Sequence, residues 1–372
     1  MTVPQNLNTY TGACIIYIFL CRASAMALGP GEHDVRKLQA TGGSTFTLSL
    51  PKPWVLDNNL APRDSLRVDW RPSGALRITP LDILQTLEKH TSFNYEKLPM
   101  DSLHDHLMGA YISGADVIRI SFASESRGNV GKIVRRFLRS TRGFEIVDEE
   151  ETYWSLRCLL NAGDMPLHAS LNRMYLQVSS LSRDIIGAFE GGEPDFLDDS
   201  EERESEVDAL LYLIERQVRI LLDSHLVATK LNLTRSQAIE YANLARSLER
   251  MMDHVYTMAK FVHGNPDFVS GNQEFIPALK LPRWQASLKE LMINIRTRDS
   301  VRIEAARHEL KALQIELAAY EQAVVDRTKP NQLAAQSMRM SESVRRLCAY
   351  SRDFGESLLN MKISAETRDV RK

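Results

Sequence analysis

The sequence predicts an α+β front joined to an all-α back, on three observations. Residues 34–80 alternate apolar and polar side chains with period two, residues 81–160 mix short strand and helix patterns, and residues 161–263 and 275–363 are helical almost throughout. At 372 residues, 44% hydrophobic and 25% charged, the chain has an ordinary globular balance and room for two or three domains. The net charge of -2 is unevenly spread. Residues 34–80 hold seven Lys/Arg against four Asp, whereas residues 193–208 hold nine carboxylates against Arg203 alone. One end can face an anion and the other a cation.

The opening GACIIYIFLC is apolar over ten residues, about half the roughly 20 that cross a bilayer. No Lys or Arg precedes it, as the start of a signal peptide requires. Residues 1–33 are therefore expected to stand outside the fold, with Met26 as the expected start; a short membrane-associated segment is the alternative. Cys14, Cys21, Cys158 and Cys348 show no C-x-x-C spacing, which argues against a disulfide framework or a cysteine zinc site. A reducing cytoplasm and no membrane insertion are expected.

Residues 40–54, ATGGSTFTLSLPKPW, are the most specific stretch. Phe46, Leu48 and Leu50 share one face of a strand and Thr45, Thr47 and Ser49 the other, after a Gly42-Gly43 turn. Pro51 stops the ladder and KPWVLDNN gives a short helical turn. A turn at APRD then leads into a second alternating strand with Leu66, Val68 and Trp70 in phase, and GALRIT supplies a third. About 45 residues cannot enclose a core of their own, so two copies are expected to interlock.

The stretch RKLQATGGSTFTLSLPKPWVLDNNLAPRDSLRVDW resembles the AbrB/MazE/SpoVT type of DNA-binding module over residues 35–79. That family has a basic first strand, a G-x-S/T turn, a P-K/R-x-W/Y element and a G/P-x-D turn. The resemblance implies that two chains swap hairpins into one β-barrel, each giving half, and turn a basic face to double-stranded DNA. It puts Arg36, Lys37, Ser44, Thr45 and Lys52 on or near that face, with Arg63 a further candidate. Cations that neutralise phosphates and hydroxyls that position the backbone suit this role. A barrel that only dimerises is the alternative.

Residues 81–162 read as a small α/β domain. DVIRISF, FEIVDEE and YWSLRCLL are strands, and RGNVGKIVRRFLRST is an amphipathic helix. His104 and His106 flank Asp105 at a helix start, where successive residues diverge by about 100°, and read as solvated surface instead of metal ligands. Six helices follow, at about 165–190, 199–227, 235–263, 276–298, 300–326 and 331–362. Val207, Leu210, Leu211, Ile214, Val218 and Leu221 form one apolar stripe, and Thr234 with Gln237 is a capping-box signature. The loop GNPDFVSGNQ divides the helices into two three-helix units, 163–264 and 275–363.

Glu204 and Asp208, and Glu249 and Asp253, are two i,i+4 acid pairs. Each shares a helix face and can aim its oxygens at one hard cation, so two adjacent helices offer four carboxylates. Oxygen ligation suits magnesium, manganese, calcium or iron. The alternative is ion pairing with Arg203, Arg246 or Arg250. EVDALLYLIERQ, LARSLERMMDHVYTMAK and LNRMYLQVSSLSRDIIGAF resemble the PhoU family of phosphate-signalling proteins, built of two three-helix repeats with metal-binding E/D-x-x-x-D elements. AYISGADVIRI and FEIVDEE further resemble its archaeal members, which join an AbrB-like front to a PhoU-like back. The resemblance implies metal at Glu204, Asp208, Glu249 and Asp253, with Asp184 a lesser candidate. In the second repeat Arg345 and Ala349 stand opposite Glu249 and Asp253, and Lys311 opposite Asp208, so at most one cluster per chain is expected.

No G-x-S-x-G, G-x-x-x-x-G-K-[ST] or H-E-x-x-H occurs, and catalysis is not expected. The resemblances imply a homodimeric phosphate-responsive regulator that binds DNA and senses or docks through a metal-bearing helical domain. The alternative is an adaptor of a phosphate ABC transporter or signalling protein that uses its barrel only to dimerise. An antitoxin with this barrel would end in a short flexible tail, unlike the helices here.

Overall fold

The computed structural model describes residues 35–41, 45–70, 75–81, 88–192, 194–271, 275–327 and 332–367. Two compact units divide the chain, Met1–Leu87 and Glu88–Lys372. Residues 1–33, Gly42, Gly43 and Ser44 lie outside the described residues.

In the first unit, β1 (Gln39–Thr41) pairs antiparallel with β2 (Thr45–Thr47), Ala40 opposite Phe46. The alternation of TFTLSL extends beyond the ladder, which stops at Thr47. Helix α1 (Lys52–Asp57) follows Pro51, with Pro53 in its first turn, where a missing N–H costs nothing. The APRD turn is closed by the Asp64 carboxylate, which accepts the Ala61 N–H at 2.7 Å. Strands β3 (Leu66–Trp70) and β4 (Leu76–Pro80) form a second antiparallel pair, Val68 opposite Ile78.

The two hairpins are separate two-stranded sheets, so the described residues of one chain close no barrel. Of those residues in this unit only Pro80 is buried. Trp70 is 82% exposed and Phe46 67%, and Leu48, Val68 and Leu76 are exposed as well. The alternating pattern has therefore made apolar faces that the described residues of this unit leave exposed.

In the second unit, β5 (His90–Asn94), β6 (Val117–Ser121), β7 (Phe144–Glu149) and β8 (Tyr153–Cys158) form one sheet in the order β5-β6-β8-β7. Strand β5 runs parallel to β6 and is an addition to the three strands the sequence suggests. Its HTSFN alternation is short and carries only Phe93 as a large apolar residue, too little to stand out. Helices α2 (Leu103–Ile112) and α3 (Arg127–Ser140) contribute Leu107, Tyr111, Val130, Val134 and Phe137 to a core shared with Ile118, Ile120, Trp154 and Leu156. His104 and His106 are half-buried, contrary to the solvated reading. His106 meets the Phe93 ring edge-on at 5.6 Å and its Nδ1 lies 2.8 Å from the Ser102 carbonyl, so α2 sits close enough to β5 to enclose them.

Gly143, just before β7, has φ +85°, and a Cβ there would collide with the Leu160 side chain. Gly143→Ala is expected to destabilise the protein by about 1–2 kcal/mol, measured by thermal melting; an unchanged melt would remove this account of the turn.

The helical region comprises α4 (Leu167–Phe189), α5 (Ser200–Asp223), α6 (His225–Leu231), α7 (Arg235–Gly264), α8 (Pro266–Ser270), α9 (Ile276–Thr297), α10 (Ser300–Arg327) and α11 (Gln332–Glu366). The expected second helix ends early, because extended Ser224 interrupts it and caps α6 through the Val227 N–H. The Thr234–Gln237 capping box is formed at α7. Part of the GNPDFVSGNQ loop is α8, whose Phe268 and Val269 are buried. Helices α4, α5 and α7 pack together, as do α9, α10 and α11, and α7 packs on α11. Their buried residues make one continuous core, which includes the whole apolar stripe of α5.

Candidate functional site

Helix α5 carries its apolar stripe inward, which leaves Glu204 and Asp208 along its packed boundary with α7, where Glu249 and Asp253 face them. The charges sense one another. Burial, then the charges of Asp253 and Asp208, push the Glu249 carboxyl up to about 7. Burial, then Glu204 and Asp253, push Asp208 up to about 6. Glu204 is raised by burial and by Asp253, and Asp253, the most open of the four, is raised by loss of hydration. All four carboxyls are thus raised by lost hydration, and Glu204, Asp208 and Glu249 also by the charge of neighbouring acids.

Of the cations that the sequence offers as partners, Arg203 and Arg246 pair with other acids, and Arg250, whose charge lowers the Glu249 carboxyl, forms no ion pair with it. Arg203 donates to Asp184 at 2.5 Å and to Asp199 at 2.8 Å. Arg246 pairs with Glu215 at 2.7 Å, and the Arg250 guanidinium lies 5.7 Å from the Tyr350 ring centroid. Glu206, between Glu204 and Asp208 in sequence, accepts two hydrogen bonds from Arg173 at 2.7 and 3.1 Å on the opposite side of α5. Among the described residues none of Glu204, Asp208, Glu249 and Asp253 forms an ion pair with Arg203, Arg246 or Arg250. Asp184, the lesser candidate, is paired with Arg203.

The donor set is all oxygen and anionic, the chemistry that suits a hard di- or trivalent ion, although Arg250 and Lys260 act on Glu249 and Glu204 at a distance. Among the described residues, however, no three Asp, Glu, His or Cys side chains are gathered into a metal-holding group. The four acids are near enough to repel but not drawn together. The second repeat is neutralised instead. There Arg283 pairs with Glu309 at 2.6 Å and Glu316 at 2.9 Å, and Arg345 pairs with Glu321 at 3.3 Å.

Two further residues extend the acid pair along α5 at the same spacing. Tyr212 follows Asp208 by four residues; burial and the charges of Asp208 and Glu249 raise its phenol pKa. Arg216 follows Tyr212 by four and is buried, with its Nη1 donating to the Tyr111 carbonyl at 2.9 Å and the Ala115 carbonyl at 2.8 Å. Sequence reading missed both, although the i,i+4 row Glu204, Asp208, Tyr212, Arg216 was visible as spacing.

Among the described residues the candidate DNA contacts are exposed. Arg36 and Lys37 precede β1, Thr45 opens β2 and Lys52 opens α1, all exposed. Arg63, also exposed, adopts φ +83° within the APRD turn.

The family model of the PhoU domain matches residues 171–262, from α4 through most of α7. All four acids fall inside that match, and this helical segment is therefore of PhoU type. No curated protein matched the chain. Among the described residues no helix is long and apolar enough to cross a membrane.

Proposed function

We propose that the protein is a phosphate-responsive regulator of phosphate uptake, in which the PhoU-type helices sense or dock and paired front units bind double-stranded DNA. The carrying observation is the set of four carboxylates, unpaired with the nearby arginines, within the PhoU match. The role is regulatory, not catalytic, in the cytoplasm. Glu204, Asp208, Glu249 and Asp253 would hold iron, magnesium, manganese or calcium, whose charge relieves their repulsion. The uncovered Phe46, Val68 and Trp70 support a homodimer, since a second copy can bury them. The exposed Arg36, Lys37, Thr45, Lys52 and Arg63 support a phosphate-facing surface, and Ser44 and archaeal-type, AbrB-like architecture belong to the same reading.

Elemental analysis tests the metal. The purified chain is expected to carry a metal that Glu249→Ala and Asp253→Ala lose; unchanged content would dispose of the site. Sedimentation tests the front, and a strictly monomeric chain would overturn the shared barrel. If four to six phosphates are contacted per dimer, log K is expected to fall with log salt at a slope of roughly -4 to -5. No binding at low salt would leave the adaptor of a phosphate ABC transporter.

A further inference from the structure

Helix α3, RGNVGKIVRRFLRS, contains no Asp or Glu. Val130, Val134 and Phe137 bury one side of it. The other side exposes Lys132, Arg135, Arg136 and Arg139, and exposed Arg142 follows in the turn. None of these five cations forms an ion pair among the described residues. Elsewhere in the same unit arginines are commonly matched, as Arg127 is with Glu149, Arg157 with Glu88 and Arg203 with Asp184.

At about 100° per residue, Lys132, Arg136 and Arg139 fall within about 60° of arc, with Arg135 about 60° to one side. They advance at about 5 Å per step along the axis. Such a row repels itself and gathers counterions, which a polyanion releases on binding. Four of the five are arginines, whose forked donors fit phosphate oxygens two at a time. The neighbouring Ile133 and Leu138 pack against the sheet core, so α3 keeps no large apolar side chain among its cations to enter lipid, as a membrane-surface helix would.

We infer that the exposed face of α3 is a second phosphate-contact surface for duplex nucleic acid, separate from the front unit. Backbone contacts fix position and add affinity without reading bases. The surface therefore strengthens binding to any sequence. The choice of duplex DNA as ligand rests on the proposed function; the location of the contact does not.

The test uses the full chain and a short random-sequence duplex, with fluorescence anisotropy over about 50–200 mM salt. Two variants are compared with wild type: Lys132→Gln/Arg135→Gln/Arg139→Gln in α3, and Arg36→Gln/Lys37→Gln/Lys52→Gln in the front unit. Matching melting curves establish that both are folded. The α3 variant is expected to reduce the magnitude of the salt slope by about 3 for each copy of α3 that meets the duplex, one per lost contact, and to weaken low-salt binding by about tenfold or more. An α3 variant with the wild-type slope overturns the inference, and if the front variant then loses binding the front-unit reading stands. If only the α3 variant loses binding, the front-unit reading fails and the inference holds. Wild type that ignores duplex but binds phosphatidylserine vesicles through α3 overturns it in favour of a membrane, and wild type that binds neither overturns it outright.

Discussion

Metal-free Glu249→Gln protein is expected to melt about 2 °C higher than wild type at about pH 8 and at nearly the same temperature near pH 5. The Glu249 carboxyl, near 4.5 when unfolded, rises to about 7 in the fold. Between those values the folded protein keeps a proton that the unfolded chain has released. The resulting stability is complete below the unfolded value and is lost as pH rises through the folded one. At higher pH the charged, partly dehydrated Glu249 adds to the repulsion among Asp208, Asp253 and Glu204. A shift of this size corresponds to about 3 kcal/mol before screening, and a half-open site reduces it to about 1 kcal/mol. Glutamine removes the charge and keeps the shape. A cation that binds the cluster is expected to raise the wild-type melting temperature at about pH 8 and to help Glu249→Gln far less. A glutamine variant that melts no higher than wild type at high pH would show that the acids do not strain the fold.

Arg216→Leu is expected to cost about 3 kcal/mol or more and to separate unfolding of the sheet from unfolding of the bundle. Arg216 is 3% exposed. Its loss would strand the Tyr111 and Ala115 carbonyls it satisfies, and remove a guanidinium lying 5.3 Å from the Tyr111 ring centroid and 5.5 Å from that of Phe144. Hydrogen exchange checks this by comparing amides of β6 with those of α7 across a urea series. Wild type is expected to release both together and the variant to release β6 first. Asp116→Asn provides the contrast. Asp116 is partly exposed and meets Arg216 only at 3.4 Å, so a smaller loss is expected. Coincident release in Arg216→Leu would mean that other contacts join the two cores.

The long helices were legible because packing amplifies period: the α5 stripe spans four turns and every member is buried. The capping box was legible because it is wholly local. Strand β5 was not, since its pairing with β6 depends on residues 27 positions away, His90 opposite Val117. Nor was the break at Ser224, where a cap overrides a helical pattern. The acid pairs could be read from spacing, but their lack of partners could not. Arg203, Arg246 and Arg250 are within reach by sequence, and only the packing of α4, α5 and α7 shows Arg203 and Arg246 paired with other acids. The same distance effect hid Arg216, whose carbonyl partners lie about a hundred residues earlier.

The row from Glu204 to Arg216 runs some 18 Å along α5, with negative charge at one end and the sheet layer pinned at the other. A helix this well packed does not bend to absorb a small push. One rigid helix thus carries both the carboxylates, whose repulsion a proton or cation would relieve, and the guanidinium that holds the Tyr111 and Ala115 carbonyls.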